Sequence, residues 1–188
     1  MHELLMALPP GGRVLDLGCS KGSFRFQHGA AEELPFPDEM FDLIIANFVF
    51  EHTSDFARAI SEAERVLARG GSLYMSVPNA KSFEDELYRA LFAGGGHRQR
   101  FGLETILRAV YAHTGLKLMA FADWPAGFTF FEHREGLRQF TLAVVDVLRR
   151  SVNADISLRS NFILTFQKVA GPATDRSRRS ARIAAEAR

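Results

Sequence analysis

The chain has 188 residues, 47% of them hydrophobic and 24% charged, with a formal net charge of +1. That length suffices for one α/β core, and the near-neutral balance does not advertise a nucleic-acid partner. The single cysteine, Cys19, leaves no internal disulfide and fits a reducing, cytoplasmic setting, and no apolar run approaches the ~18 residues needed to span a bilayer.

The N-terminus, with Glu3 early and Pro9-Pro10-Gly11-Gly12 soon after, lacks the basic-then-apolar plan of a secretory signal. Arg13 to Leu17 reads as a short strand that ends in a glycine-rich turn. Phe41 to Asn47 is a continuous apolar run, the pattern of a central strand buried on both faces. Ser54 is placed to cap a helix from about Asp55 to Ala68, with Phe56, Ile60, Ala63, Val66 and Leu67 on one stripe and Gly70-Gly71 past its end. Ser72 to Val77 is the next strand. Ser82 and Asp85 have capping-box spacing ahead of Leu87, Tyr88, Leu91 and Phe92, and Gly94-Gly95-Gly96 breaks that helix. Another helix is expected over Leu103 to His113. Strands are expected over Leu116 to Ala122 and Asn161 to Val169, with an amphipathic helix from Glu135 to Arg150 between them.

Alternating strands and helices predict one doubly wound α/β domain over residues 1–170. Its sheet is mostly parallel and Rossmann-like, with helices on both faces and the last strand antiparallel. Residues 79–102 hold a short helix and its glycine break, and 134–150 an added helix. Residues 171–188, with Arg176, Arg178, Arg179, Arg182 and Arg188, form a basic, solvated tail.

The chemistry concentrates in the first turn, Asp16-Leu17-Gly18-Cys19-Ser20-Lys21-Gly22. Small residues at 18, 20 and 22 let backbone approach a ligand closely, and Asp16 closes a parallel strand at the end where such sheets bind ligands. Further motifs follow in order: Glu33-Leu34-Pro35-Phe36-Pro37-Asp38, Phe41-Asp42-Leu43, Asn47-Phe48-Val49-Phe50-Glu51-His52, Val66-Leu67-Ala68-Arg69-Gly70-Gly71-Ser72-Leu73 and Ser76-Val77-Pro78-Asn79. Together they resemble the class I S-adenosylmethionine-dependent methyltransferases that act on small molecules. The resemblance implies S-adenosylmethionine as cofactor, with Asp16, Gly18, Cys19, Ser20 and Gly22 around its methionine part. Ala31 and Glu32 would lie near the adenine, and Asn47 and Phe48 at the methyl-transfer end. It also implies a small-molecule acceptor such as a sugar, lipid or quinone, covered by the stretch after Asn79, where His97 and Arg100 are candidate substrate contacts. His52 is a candidate general base for O-methylation.

Two features depart from that family. Only Ser23 to Glu33 fills the space where relatives carry about two helices and a strand whose terminal acid grips the ribose. If Arg25 to His28 were that strand, the connection from Gly18 would fall short of the ~10–12 residues a parallel crossover needs. A segment is therefore missing between the glycine turn and the third strand. Because every downstream motif is intact and a deletion would expose a sheet edge, its residues are expected to exist in the protein and not to have been deleted. Ala30 also stands where an acidic or amide residue usually meets the adenine amino group. Two other readings stay open: a degenerate methyltransferase fold that binds without catalysing, and a serine hydrolase using Ser20, since Gly18-Cys19-Ser20-Lys21-Gly22 also spells a nucleophile elbow. No Cys, His or carboxylate set has metal-ligand spacing along the chain.

Overall fold

A computed structural model describes residues 2–19, 29–131, 133–152 and 159–169. Five strands form one sheet: β1 (Val14–Leu17), β2 (Phe41–Asn47), β3 (Leu67–Pro78), β4 (Leu116–Pro125) and β5 (Arg159–Lys168), in the spatial order β1-β2-β3-β5-β4. β1, β2 and β3 pair in parallel, and β5 runs antiparallel between β3 and β4. The last strand is therefore antiparallel, as expected, and lies inside the sheet with β4 at the edge. The helices are α1 (His2–Met6), α2 (Phe56–Val66), α3 (Phe83–Leu91), α4 (Leu103–His113) and α5 (Glu135–Val152). Among the described residues, no helix is long and apolar enough to cross a membrane.

The core follows from strand alternation. Leu73, Met75 and Val77 of β3 sit opposite Phe166, Leu164 and Phe162 of β5, all on one face. That face receives Ala59, Ile60, Ala63 and Val66 of α2 and Ile106 and Val110 of α4, every one of them fully buried. Each large side chain so buried stabilises the fold by roughly 1.5–3 kcal/mol relative to exposure. On the other face, Ile45, Tyr74, Ile163 and Thr165 remain half-buried. A smaller cluster packs Phe128 and Phe131 against Val145 of α5.

Several boundaries differ from the sequence reading, each for a visible reason. Asp55 caps α2, its carboxylate accepting from the Arg58 N–H at 3.0 Å. Ser54, the expected cap, instead gives its hydroxyl to Glu32 at 2.9 Å. α2 stops at Val66 because Leu67 already pairs with Phe41, so β3 starts before the glycine pair. Ser82 does cap α3, accepting from the Asp85 N–H at 3.1 Å.

β1 forms one edge of the sheet: among the described residues, no strand pairs with its far side. That is the edge a missing second strand would cover. The candidate strand Arg25 to His28, the turn residues Ser20 and Gly22, and the tail 171–188 lie outside the described residues.

Candidate active site

The glycine turn sits at the carboxyl end of β1. Gly18 has φ +79°, and a Cβ there would lie 2.5 Å from Val49 Cγ2. Only glycine meets both demands, the left-handed backbone and the close approach. Asp16 and Asn47, at the ends of the adjoining strands, are both exposed, and Cys19 is half-buried. Asn47 Oδ1 accepts a hydrogen bond from Ser76 Oγ across to β3. Phe48 follows with φ +53°, a left-handed conformation that is unusual for an aromatic residue, and the residue is 43% exposed. Its N–H donates to Ser76 O at 3.0 Å, which holds this bend at the strand end.

The Leu-Pro-Phe loop is fastened to α2. Arg65 donates to Phe36 O at 2.8 Å and Leu34 O at 2.9 Å, while Glu62 accepts from the Leu34 N–H at 2.9 Å. Glu32 joins the same scaffold. Its Oε1 accepts from the Ser54 N–H at 2.7 Å, Ser54 Oγ at 2.9 Å and Asp55 N–H at 3.3 Å. Burial alone would raise this carboxyl, but those donors at the start of α2 outweigh it and hold it below the usual range.

Next to the strand ends opens a cavity of about 330 Å³, lined by Phe48, Glu51, His52, Tyr88, His97 and Phe130 among others. Glu51 and His52 stand on a single 3-10 turn, Phe50–His52, just past β2. Glu51 is 0% exposed, and neither carboxylate oxygen has a hydrogen-bond partner. Burial, reinforced by the nearby Asp85 carboxylate, pushes its carboxyl up to about 8 against weaker opposing contributions, so it is predominantly protonated at neutral pH. Two further orphaned polar atoms, Glu84 Oε2 and Ser160 Oγ, belong to residues lining the same cavity.

The segment after α3 closes one side. Arg98 and Gln99 N–H groups donate to Glu51 O at 2.7 and 3.0 Å, and Gln99 Nε2 donates to Thr53 O at 2.9 Å. Arg89 ties the segment to α3, pairing with Asp85 at 2.6 Å and donating to His97 O at 2.9 Å and Gln99 O at 2.8 Å. Asp85 also meets His97 Nδ1 at 3.1 Å. Burial works to raise Asp85, yet hydrogen bonds from His97 and Arg89 prevail and keep it ionised.

Of the residues singled out from sequence, the fold brings Phe48, His52 and His97 to one cavity. Asp16, Gly18 and Asn47 sit at neighbouring strand ends, Gly18 against Val49. Arg100 stands apart, paired on the surface with Glu86 at 2.9 Å. Ala31 packs partly buried against the main core, and Ala30 forms a small bridge with Glu33. Glu51 was missed. Its one sequence signal was an acid inside the apolar frame Phe48-Val49-Phe50-Glu51, directly before His52. His97 joins that pair only through the fold, so spacing along the chain could not reveal the set.

Comparison with known proteins agrees with this architecture. Residues 13–75 match the methyltransferase domain family. The chain is 49% identical over 47 residues to the uncharacterized methyltransferase YcgJ of Bacillus subtilis, a match covering 25% of this chain and 19% of that protein. It is 34% identical over 135 residues to demethylmenaquinone methyltransferase of Thermus thermophilus, covering 65% of this chain and 59% of the relative. Over the first relatives the matched stretches thus span well under two thirds of their length. The crystal structure of YcgJ superposes with a TM-score of 0.62 at 22% identity, covering 90% of this chain and 99% of that one. Residues 13–75 thus carry the likeness to the methyltransferase domain family, and the chain as a whole shares the Rossmann-like fold of YcgJ.

Proposed function

We propose that this chain transfers a methyl group from S-adenosylmethionine to a small-molecule acceptor bound in the cavity beside β2 and β3. One observation carries the reading. A left-handed glycine cradle, where a side chain would strike Val49, lies beside a strand end whose next residue, Phe48, opens onto a cavity of about 330 Å³. That size suits a metabolite.

Gly18 leaves backbone space for the cofactor, with Asp16 and Cys19 beside it; Ser20 and Gly22 are assigned to cofactor binding by the sequence resemblance. Asp16 is exposed at the carboxyl end of β1 and would meet the ammonium of the methionine part. Ala31 supplies a backbone N–H near the adenine and Asn47 a polar contact at the transfer end. Glu32 acts through the loop, since its Oε1 already holds the start of α2. The cofactor supplies an activated methyl group, and the protein supplies orientation and a dry setting.

His52 lines the cavity with Nδ1 3.1 Å from Gly96 O. With Nδ1–H donating to that carbonyl, Nε2 is left as a proton acceptor for an acceptor hydroxyl. The rings of Phe48, Tyr88 and Phe130 give the cavity an aromatic wall, and relatives named demethylmenaquinone methyltransferase support a quinol-like acceptor over a sugar. Arg100 and His97 are the remaining proposed acceptor contacts, Arg100 only after leaving Glu86.

A second reading has its own observation. β1 is an edge strand with no described neighbour to carry a ribose-gripping acid, which supports a fold that binds without transferring. Incubation with methyl-tritiated S-adenosylmethionine and a panel of hydroquinones, lipids and sugars separates the two. Label in an acceptor, lost in Asp16→Ala, supports transfer; cofactor binding without label in any acceptor supports the binding protein.

A further inference from the structure

We propose that Glu51, His52 and His97 bind a divalent transition-metal ion, zinc by donor chemistry, at the wall of the cavity. One ligand atom from each residue lies within 4.8 Å of those of the other two. Bound zinc at about 2.0–2.1 Å from nitrogen and oxygen would bring such atoms to roughly 3.3 Å, a closure that rotation of Glu51 and His52 toward the fixed His97 would supply.

Three independent features point to an ion. The first is the buried carboxyl group of Glu51, which would give up its proton to an ion: both oxygens are inaccessible to solvent and unpartnered, although the residue lines the cavity. Buried polar groups are nearly always satisfied, so this one needs a partner. A hydrogen-bonded triad would explain the same three residues without a metal, but it would leave no orphaned oxygens.

The second feature is the outer contacts of the two rings. His52 Nδ1 is 3.1 Å from Gly96 O, and His97 Nδ1 is 3.1 Å from Asp85 Oδ1. A carbonyl and a carboxylate at Nδ1 set the tautomer and leave Nε2 for a metal. Asp85 is itself fixed by Arg89 at 2.6 Å, so the carboxylate–histidine unit is rigid. Tyr88 stacks on the His97 ring at 4.8 Å between centroids and limits its rotation.

The third is placement. Two histidines and one glutamate form a three-ligand set of the kind that leaves a fourth position to water or substrate. All three residues line the cavity assigned to the acceptor, so that position faces it. An ion there would polarise an oxygen-bearing acceptor, and His52 would then be a ligand and not the base. The inference goes beyond the proposed reaction, and its test reads metal alone, so either reading can fail without the other.

The test is calorimetric titration of chelator-stripped full chain with Zn²⁺, alongside visible absorption of the Co²⁺-substituted protein. The variants are His52→Ala, His97→Ala and Glu51→Gln, each checked for fold by circular dichroism. The expected result is one ion per chain, with Co²⁺ bands of a four-coordinate nitrogen and oxygen site. Affinity should fall more than about tenfold in every variant, and about tenfold in Asp85→Asn, which keeps all three ligands but removes the charge that fixes His97 and pairs with Arg89. Absence of Zn²⁺ binding to the wild-type chain, or affinity retained within about threefold in any of the three folded variants, overturns the proposal.

Discussion

Replacing Glu51 with glutamine should flatten the pH dependence of stability. In the folded, metal-free protein this carboxyl is raised to about 8, against an ordinary 4.5, chiefly by burial. Folding therefore takes up a proton at any pH between those values. The contribution is fully present below about 4.5 and is lost as pH rises through about 8. The whole span corresponds to something on the order of 5 kcal/mol, or about 1.4 kcal/mol for each pH step within the window. Glutamine has the same shape and no charge to bury. Urea unfolding in chelator at about pH 5.5 and 7.5 should then show wild type losing about 3 kcal/mol more than Glu51→Gln across that interval. Taking the difference between the two proteins cancels the other titrating groups. Equal pH slopes for the two would refute the reasoning, because they would place a charged, solvated Glu51 in the fold.

Other perturbations test the neighbouring geometry. Gly18→Ala forces a side chain into φ +79° and against Val49 Cγ2 at 2.5 Å. It should cost roughly 2 kcal/mol of stability and weaken S-adenosylhomocysteine binding at least about tenfold, read by thermal melts and calorimetry. Asp85→Ala leaves the buried Arg89 guanidinium without its carboxylate. Urea unfolding should show a loss of about 3 kcal/mol, and hydrogen exchange should rise over residues 97–99, whose carbonyls at 97 and 99 Arg89 holds. At Gly95 a Cβ would sit 2.0 Å from Tyr88 Cε1 with φ +60°. Gly95→Ala should therefore lower the melting temperature by several degrees and displace Tyr88 from His97, visible as shifted ring resonances.

Much of the fold was legible because its signals are local. The continuous apolar run Phe41 to Asn47 carries the pattern of a central strand, and it is β2. The Ser82/Asp85 spacing marked the start of α3, and the period of Leu103 to His113 marked α4. What escaped was set by long-range contacts. The pairing of Leu67 with Phe41 pulled the start of β3 into the expected end of α2. Ser54 lost its capping role to Asp55 once Glu32, 22 residues earlier, claimed its hydroxyl.

The site divides the same way. The placement of Gly18, Asp16 and Asn47 at a turn and at strand ends could be read because such positions carry their own sequence signatures. Glu51 and the Arg89–Asp85–His97 unit could not, because nothing along the chain says that residues 51 and 97 meet. The role of Glu32 as a clamp on α2 was hidden for the same reason. Where the resemblance implied a cover after Asn79, the segment is anchored by hydrogen bonds to the Glu51 and Thr53 carbonyls.

The most direct test is calorimetric titration of the mass-verified 188-residue chain with S-adenosylhomocysteine. The account expects binding in the micromolar range, about −8 kcal/mol, reduced at least about tenfold by Asp16→Ala. No heat of binding from a folded, mass-verified chain would contradict it, and would leave a methyltransferase fold without a working cofactor site.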